Sequence, residues 1–597
     1  MTPDCRVVRA EVRTTETFDA LFLVAETGQG TALLRAMRDG LGLDGTGLRR
    51  SAEGVRVPAA IAWRLDELGS GVQMNWTPEA RRFVENRRHV ASVHSEVFAN
   101  LLRIRREGAG LAERMVADSA SLDVLDQHQV VNVAAMTLPD SPGLCVFDEQ
   151  GAGKTVTFIF AFDLLVERDE ADLAVIVAPK SMIGEWPKDL GRFRGDIYRT
   201  VVLTGTAREK RRLLAESADV LVTNFETAVT MEPELRALMR ARPGRTVLAI
   251  DESFFIKSLD AKRTRALRRL REWAGRAYVL CGTPAPNSPS DLVQQFSLVD
   301  FGYCFKDVEL PIERELAAPV VQSAIEKRGL YLRHLKREVL PDLPVKRFQR
   351  VIVPMAEEQG RLYRAHLDRL VAEVEAVDDS GFIRQRTSFL ARRAALLQIC
   401  SNPSGVSETY GETPAKLEAL DSLVKQLVRR EREKVVIWSF YTASVAAIAG
   451  RYARYGVVRY DGSVPDVVAR REAVRRFQED DDTMVFVANP AAAGAGLTLH
   501  RARVAIYESL SNQAAHYLQS LDRIHRRGQE RDVEYVVLLC DDTLEVSEYD
   551  RLVQKEQAAQ DLLGDNVEAP LTRETFLTDV RKAAALLNTV EAGECPG

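Results

Sequence analysis

The sequence predicts an α/β protein with two parallel-sheet units, helical insertions around them, and a separate N-terminal α+β domain. Three observations carry that prediction. From about residue 120 to 310, short apolar runs alternate with segments of helical spacing: GLCVF, LAVIVAP, RTVVLTG, DVLVTN, TVLAIDE and AYVLCGTP. The same alternation returns from about 430 to 560 in KVVIWSF, GVVRYDG, TMVFVANP, RVAIYES and VEYVVLL. Runs that are apolar at successive positions, not at every second one, read as strands buried on both faces, as in a parallel sheet covered by helices. Residues 1–115 follow neither pattern, which sets them apart.

Taken in order, residues 1–115 combine a strand-like alternation in TFDALFLVAE with helical spacing in TALLRAMRDGLG and PEARRFVENRRHVASVHSEVFANLLRIRRE. The stretch REGAGLAERM (106–115) reads as a hinge. Residues 116–310 form the first α/β unit. Residues 311–425 are mostly helical, with long stretches such as EEQGRLYRAHLDRLVAEVEAV. Residues 426–560 form the second α/β unit, and 561–597 a polar tail. There is no short-period repeat; the duplication is one of fold.

Bulk properties bound the answer. A chain of 597 residues is too long for one hydrophobic core. With 46% hydrophobic and 28% charged residues it has the composition of an ordinary globular protein. No stretch is apolar and long enough to span a bilayer, and MTPDCRVVRAEVR lacks the core of a signal peptide, so a cytoplasmic location is expected. The seven cysteines are scattered without a C-x-x-C pair, which points away from a disulfide framework and from zinc. The formal net charge is −5, whereas small nucleic-acid-binding domains are usually basic. Any contact with nucleic acid therefore needs cations gathered locally.

The chemistry begins at FDEQGAGKTVTFIF, which follows the apolar run GLCVF and opens a helix. Gly151 and Gly153 permit a tight loop whose backbone N–H groups face inward, so that a polyphosphate meets a helix N-terminus. Lys154 is placed to reach the terminal phosphates, and the Thr155 hydroxyl to bind Mg²⁺. The full G-x-x-x-x-G-K-[ST] pattern is not met, because Asp148 stands where its first glycine would be. About a hundred residues later, TVLAI ends in Asp251 and Glu252. An acid pair at a strand end downstream of a phosphate loop suits a metal-holding Asp251 and a Glu252 that orients or deprotonates the attacking water.

From about 120 to 560 the chain resembles the Swi/Snf-type ATPases, the double-stranded-DNA-translocating branch of superfamily two helicases. The resemblance rests on many blocks in order: LDQHQVVNV, DEQGAGKT, APKSMIGEWPKDL, LVTNFETA, LCGTPAPNSPSDLVQQFSLV, YLRHLKREVLPDLPVK, LLQICSNP, RYDGS with Arg470 and Phe477, NPAAAGAGLTL and QSLDRIHRRGQ. Acid at position 148 is this branch's own pattern. The resemblance implies two RecA-like lobes that use ATP and Mg²⁺, with Gln129 reading the adenine edge and His128 packing on the base. It implies that Lys180, Ser181, Thr223 and Asn224 lie along the backbone of duplex DNA, contacts that carry little sequence preference. It implies coupling roles for Gly282, Thr283, Gly494 and Gly496, and a role in hydrolysis for Gln519, Arg523 and Arg526. QSLDRIHRRGQ reads as a helix, on which residues 523 and 526 share a face. The resemblance brings both arginines to the γ-phosphate, where such a group is worth ~10³–10⁵ in rate. The arginine-rich KRTRALRRLREWAGR (262–276) reads either as an extension of the DNA track or as a solvated helix.

One departure stands out. In LAIDESFFIKS, Phe254 occupies the place where the family carries a histidine thought to relay between the nucleotide and the following motif. Phenylalanine neither donates nor accepts that hydrogen bond. Since no phosphate, metal or water position is altered, hydrolysis is expected to survive and its coupling to movement to change. The expected function is an ATP-driven duplex-DNA translocase. By analogy it serves as the motor subunit of a larger bacterial DNA-processing or antiphage defence system, with a protein partner docked on residues 1–115. Three other readings stay open on sequence: a strand-separating helicase, an RNA-polymerase-recycling ATPase, and a nucleotide-gated clamp of low turnover.

Overall fold

The computed structural model describes residues 8–26, 28–41, 48–51, 54–62, 64–65, 67–68, 72–117, 122–256, 258–282, 290–311, 314–464, 467–492, 497–511, 514–558 and 572–591. Contacts divide the chain into two units, Met1–Val339 and Leu340–Gly597.

The first unit contains two sheets. The N-terminal one comprises β1 (Val8–Thr14), β2 (Ala20–Ala25), β3 (Arg49–Ser51), β4 (Gly54–Pro58) and β5 (Val72–Trp76), in the order β3-β4-β2-β1-β5. Its pairings are antiparallel except β1 with β5. Period-two burial at Val8, Ala10 and Val12 turns one face of β1 inward, onto a core with Leu33, Met37 and Phe83. The helix Gly30–Leu41 supplies two of those residues and the helix Pro78–Glu107 the third. The long helix starts cleanly because the Thr77 hydroxyl accepts from Ala80 N. It stops at Gly108, whose φ of 65° is the left-handed turn that glycine permits. The segment expected to be a hinge follows as a second helix, Ala109–Met115. It buries Leu111 and Ala112 and packs against the helix Gln127–Met136.

The second sheet of this unit has seven strands: β6 (Gly143–Val146), β7 (Leu173–Ala178), β8 (Thr200–Val202), β9 (Val220–Asn224), β10 (Thr246–Asp251), β11 (Arg276–Leu280) and β12 (Tyr331–Leu332). They run in the order β12-β6-β11-β10-β7-β9-β8, every pairing parallel. Each residue of β6, β7, β9, β10 and β11 is buried, as the continuous apolar runs required. Because the strands are parallel, their carboxyl ends share one edge, where such sheets bind ligands. β11 has β6 on one side and β10 on the other.

The N-terminal domain is fastened to this sheet through the long helix. Arg87 and Glu272 form a buried ion pair at 2.8 Å, and Asn86 Nδ2 donates to the Glu272 carboxylate and carbonyl at 2.7 and 2.9 Å. The basic stretch at 262–276 proves to be part of the same junction. On the helix Lys262–Arg271, Arg263 pairs with Glu226, Arg265 with Glu16, and Arg269 with Glu232. Arg271 is fully buried and donates to the carbonyls of Pro142, Ala274, Leu298 and Val299. These arginines are turned to protein rather than to a free basic face.

The second unit holds β13 (Lys346–Val353), β14 (Val435–Trp438), β15 (Val457–Tyr460), β16 (Val485–Ala488), β17 (Val504–Tyr507) and β18 (Val533–Cys540), all parallel in the order β13-β18-β17-β14-β16-β15. Alternate residues of one strand enter different cores: Val436 and Trp438 join one cluster, Val435 and Ile437 the other. The sheet is thus covered on both faces. A third cluster joins the helices Glu357–Glu375 and Asp379–Ser401 to the helix Arg573–Glu591. The last of these lies in the segment read as a polar tail. Its Phe576, Leu577, Val580 and Ala583 recur at one to four residues, enough for one apolar face. The stretch 311–425, read as mostly helical, contributes a strand to each large sheet, β12 and β13.

Among the described residues no helix is long and apolar enough to cross a membrane. Five described cysteines are free and buried. Cys400, Cys540 and Glu545 lie close together, but the Lys416 ammonium is 2.5 Å from Glu545 and Cys540 N donates to the same carboxylate at 3.0 Å. Protein donors already serve that carboxylate.

Candidate nucleotide site

The phosphate loop leaves β6 and enters the helix Lys154–Glu167. Gly151 and Gly153 adopt φ of 88° and 87°, conformations that suit glycine. A Cβ at Gly153 would stand 2.2 Å from Gln129 Nε2, so the loop is packed onto the preceding helix. Gln129 explains how. Its Oε1 accepts from Asp126 N at 2.9 Å and its Nε2 donates to the Ala152 carbonyl at 3.3 Å. His128 Nε2–H donates to the same carbonyl at 2.8 Å. The two side chains expected at the base therefore brace the phosphate loop in this structure, and both are buried.

Lys154 is 8% exposed, and its ammonium donates to the carbonyls of Asp148 and Glu149 at 2.8 and 3.3 Å. Thr155 follows it in the first turn of the helix, partly buried. Asp148 is wholly buried, accepting from Asn132 Nδ2 at 2.6 Å and from the His334 backbone N and ring Nδ1 at 2.9 Å each. Burial pushes its carboxyl up, but His334, Lys154 and Asn132 outweigh burial and hold it below the usual carboxylate range. His334 belongs to a strap from Leu330 to Lys336. Its carbonyls at 330, 332 and 334 accept from the N–H groups of Cys145, Phe147 and Glu149.

The acid pair ends β10 on the same sheet edge. Asp251 is buried and accepts from Trp186 Nε1 at 3.2 Å. Its carboxyl is pushed up to about 7, first by burial and then by the neighbouring charge of Glu252, with Lys154 pulling the other way. Glu252 is 2% exposed with a left-handed φ of 53°, and its Oε1 accepts from Gln150 Nε2 at 3.0 Å. Two buried carboxylates side by side, one of them raised by the other, are relieved by a divalent cation. The oxygen donors of Thr155 and Asp251 are the type that Mg²⁺ takes, so these residues fit that ion.

Phe254 is buried and stacks on Phe255 with centroids 4.6 Å apart, and Phe255 contacts Phe225 at 5.3 Å. Its neighbour Ser253 donates to Gln295 Oε1 at 2.5 Å, reaching the helix Ser290–Asp300. Gly282 lies two residues past the end of β11, the strand between β6 and β10. Thr283, Gly494 and Gly496 lie outside the described residues.

Of the residues assigned to DNA, Lys180 and Ser181 are exposed on the turn after β7. Thr223 is fully buried in β9. Asn224 is 9% exposed, and its Oδ1 accepts from Thr227 N, capping the helix Phe225–Thr230.

In the second unit, Gln519 is buried on the helix Ala514–Leu521. That helix stops before Arg523 and Arg526, correcting the helical reading of QSLDRIHRRGQ. Arg523 N donates to Ser520 O, and Gly528 at φ 97° turns the chain. Gln529 Nε2 ties the turn to the carbonyls of His500, Ala502 and Ile524. The two guanidinium groups still converge: both donate to the Leu497 carbonyl, at 3.3 and 3.2 Å. Sequence reasoning gave no role to Gln150, Asn132 or His334, and noted Trp186 only as part of a motif. Their roles rest on strand order, which no local signal reveals.

Similarity to known proteins spans both units. The chain matches the SNF2-related domain over residues 126–405 and the helicase conserved C-terminal domain over residues 415–528. It is 26% identical to the ISWI chromatin-remodeling complex ATPase ISW1 of Saccharomyces cerevisiae, over 70% of this chain and 38% of that protein. It is also 26% identical to the SWI/SNF-related matrix-associated actin-dependent regulator of chromatin subfamily A-like protein 1 homolog of Caenorhabditis elegans, over 72% and 60% respectively. The chain thus spans less than two thirds of the length of either relative. Among solved structures it is similar to the Sulfolobus solfataricus SWI2/SNF2 ATPase core in complex with dsDNA, at 19% identity and a TM-score of 0.35, covering 77% of this chain and 97% of that one. With both domains matched in order, over ranges that include the phosphate loop, the acid pair and the arginine turn, the chain belongs to the SNF2-related family of helicase-like ATPases.

Proposed function

We propose that this protein hydrolyses ATP to move along double-stranded DNA without separating the strands. One observation carries the reading: the glycine-rich loop after β6 and the buried acids at the end of β10 share one sheet edge, close enough for Lys154 to act on Asp251 and for Gln150 to bond Glu252. The loop N–H groups and Lys154 hold the phosphates. Thr155 and Asp251 would hold Mg²⁺, which when bound offsets phosphate charge. Glu252 orients and deprotonates the attacking water. Arg523 and Arg526 neutralise charge that builds as the γ-phosphate leaves. Lys180 and Ser181 meet DNA phosphates.

The relatives' names, a chromatin-remodeling complex ATPase and a regulator of chromatin, support the coarser part of this reading. The finer part makes the chain the cytoplasmic motor subunit of a larger bacterial DNA-processing or antiphage system. Its support is a five-stranded N-terminal domain with a core of its own, the part that would meet a protein partner. Affinity capture with and without residues 1–115 tests that partner; an identical set of captured proteins rejects it.

The motor is tested by ATP turnover with and without duplex DNA, together with displacement of a triplex-forming strand and unwinding of a forked duplex. Duplex-stimulated turnover with triplex displacement and no unwinding is the expected pattern. Lys154→Ala and Glu252→Gln should each reduce turnover by at least ~10³-fold. Strand separation would make the protein a helicase. DNA binding without turnover would make it a clamp.

A further inference from the structure

Beside the acid pair lies a side chain that the motif readings leave without a task. Gln150 occupies the third position of DEQGAGKT, and its Nε2–H donates to Glu252 Oε1 at 3.0 Å. The two residues are 102 positions apart in sequence and follow strands that are not neighbours. β11 runs between β6 and β10, so the two strand ends lie two spacings apart, about 9.5 Å. A side chain crosses that gap only where the end of β11 leaves room. It leaves room at Gly282. A Cβ there would stand 2.8 Å from Gln150 Oε1 and 3.0 Å from Gln150 N.

Glu252 has particular need of a partner. Its left-handed backbone takes it out of strand geometry just where its direction matters. Its setting is buried and already holds the Asp251 carboxylate and the Lys154 ammonium. An amide adds no charge to that group and carries no titratable proton. It directs the carboxylate by donation alone.

We propose that Gln150 is a positioning residue that reaches across Gly282 to aim the Glu252 carboxylate, setting the rate of hydrolysis without touching the nucleotide. The proposal rests on the assignment of Glu252 as the residue that activates water. It also gives Gly282 a reason: any side chain there would displace the bridge.

The test uses the full chain with saturating duplex DNA. Gln150→Met keeps the length and removes the donor. It should lower kcat about tenfold while the KM for ATP and the affinity for ADP stay within about twofold, because the loop N–H groups and Lys154, not the Gln150 side chain, hold the phosphates. Gln150→Glu is a second, isosteric variant that sets a carboxylate against Glu252, and should lose more than Gln150→Met. Adding Gln150→Met to Glu252→Gln should leave the residual turnover unchanged, since the amide acts only through Glu252. Normal turnover in Gln150→Met beside an inactive Glu252→Gln overturns the proposal and leaves the motor reading intact. Normal turnover in Glu252→Gln removes the assignment on which the proposal stands. A further loss in the double variant, or a fall in melting temperature that tracks the lost rate in both Gln150 variants, shows that Gln150 acts by another route and overturns it.

Discussion

Glu272→Ala should loosen the N-terminal domain from the sheet unit, and the structure sets the size of the effect. The Arg87 and Glu272 side chains are 9% and 3% exposed, and their ion pair at 2.8 Å is reinforced by Asn86 on both the carboxylate and the carbonyl of residue 272. Burial pushes the Arg87 guanidinium below its ordinary range even with Glu272 present. Removing the carboxylate leaves that cation with the Phe83 carbonyl at 2.9 Å and the Phe83 ring at 3.2 Å as neighbours. Stranding one member of a buried pair costs about 3–5 kcal/mol, whereas replacing both by apolar residues of similar volume is often close to neutral. Glu272→Ala should therefore lower the first urea transition by about that amount, and the double variant Arg87→Leu/Glu272→Leu by only about 1–2 kcal/mol. Urea titration followed by circular dichroism measures both. Trypsin digestion at Arg103–Arg114, the corner between the two helices, should quicken in the single variant. If Glu272→Ala moves the transition by less than about 1 kcal/mol, or the double variant is as unstable as the single one, the pair does not hold the junction in the way derived above.

Three further outcomes follow from the site. Gly153→Ala places a Cβ 2.2 Å from Gln129 Nε2 on a backbone of φ 87°, and should raise the KM for ATP about tenfold or more, read by steady-state turnover. Asp251→Asn should raise the melting temperature of the protein in chelator at pH 8 and have no such effect near pH 4. The native carboxyl is raised towards 7 by burial and Glu252, so the wild type loses stability as pH climbs from about 4 through 7, and the amide is spared that loss. Equal melting shifts at both pH values would contradict this. Phe254→His should change the dependence of turnover on duplex concentration more than its maximum, because residue 254 stacks on Phe255 rather than joining the acid pair. Matched titrations with and without duplex decide it.

Much of the fold was legible because fully buried parallel strands leave unbroken apolar runs; all eleven runs quoted from the two sheet units correspond to strands from β6 to β11 and β14 to β18. β12 was not legible, since two residues carry no periodicity and their pairing partner is distant. β13 escaped because its first five residues, KRFQR, are exposed or half-exposed and four of them are polar, so no apolar run marks its start. In the site, Lys154, Asp251 and Glu252 announce themselves by residue type at strand ends. The bracing roles of His128 and Gln129 depend on how their helix packs on the loop, and the reach of Gln150 on which strands are neighbours. The arginines of 262–271 show the limit plainly: a run of charge reads the same whether it faces solvent or a set of carboxylates and carbonyls brought from elsewhere in the chain.

The strap from Leu330 to Lys336 fixes when the phosphate loop can be completed. The outer edge of β6 finds its acceptors in residues 185 positions downstream, and the carboxylate of Asp148 a donor 186 positions downstream. A nascent chain that has emerged only as far as residue 310 has the glycine loop but an open strand edge beside it, and open edges invite pairing with other chains. A shortened version of the first unit that ends there would inherit the same exposed edge for good, while one carried through Val339 would bring its own cover.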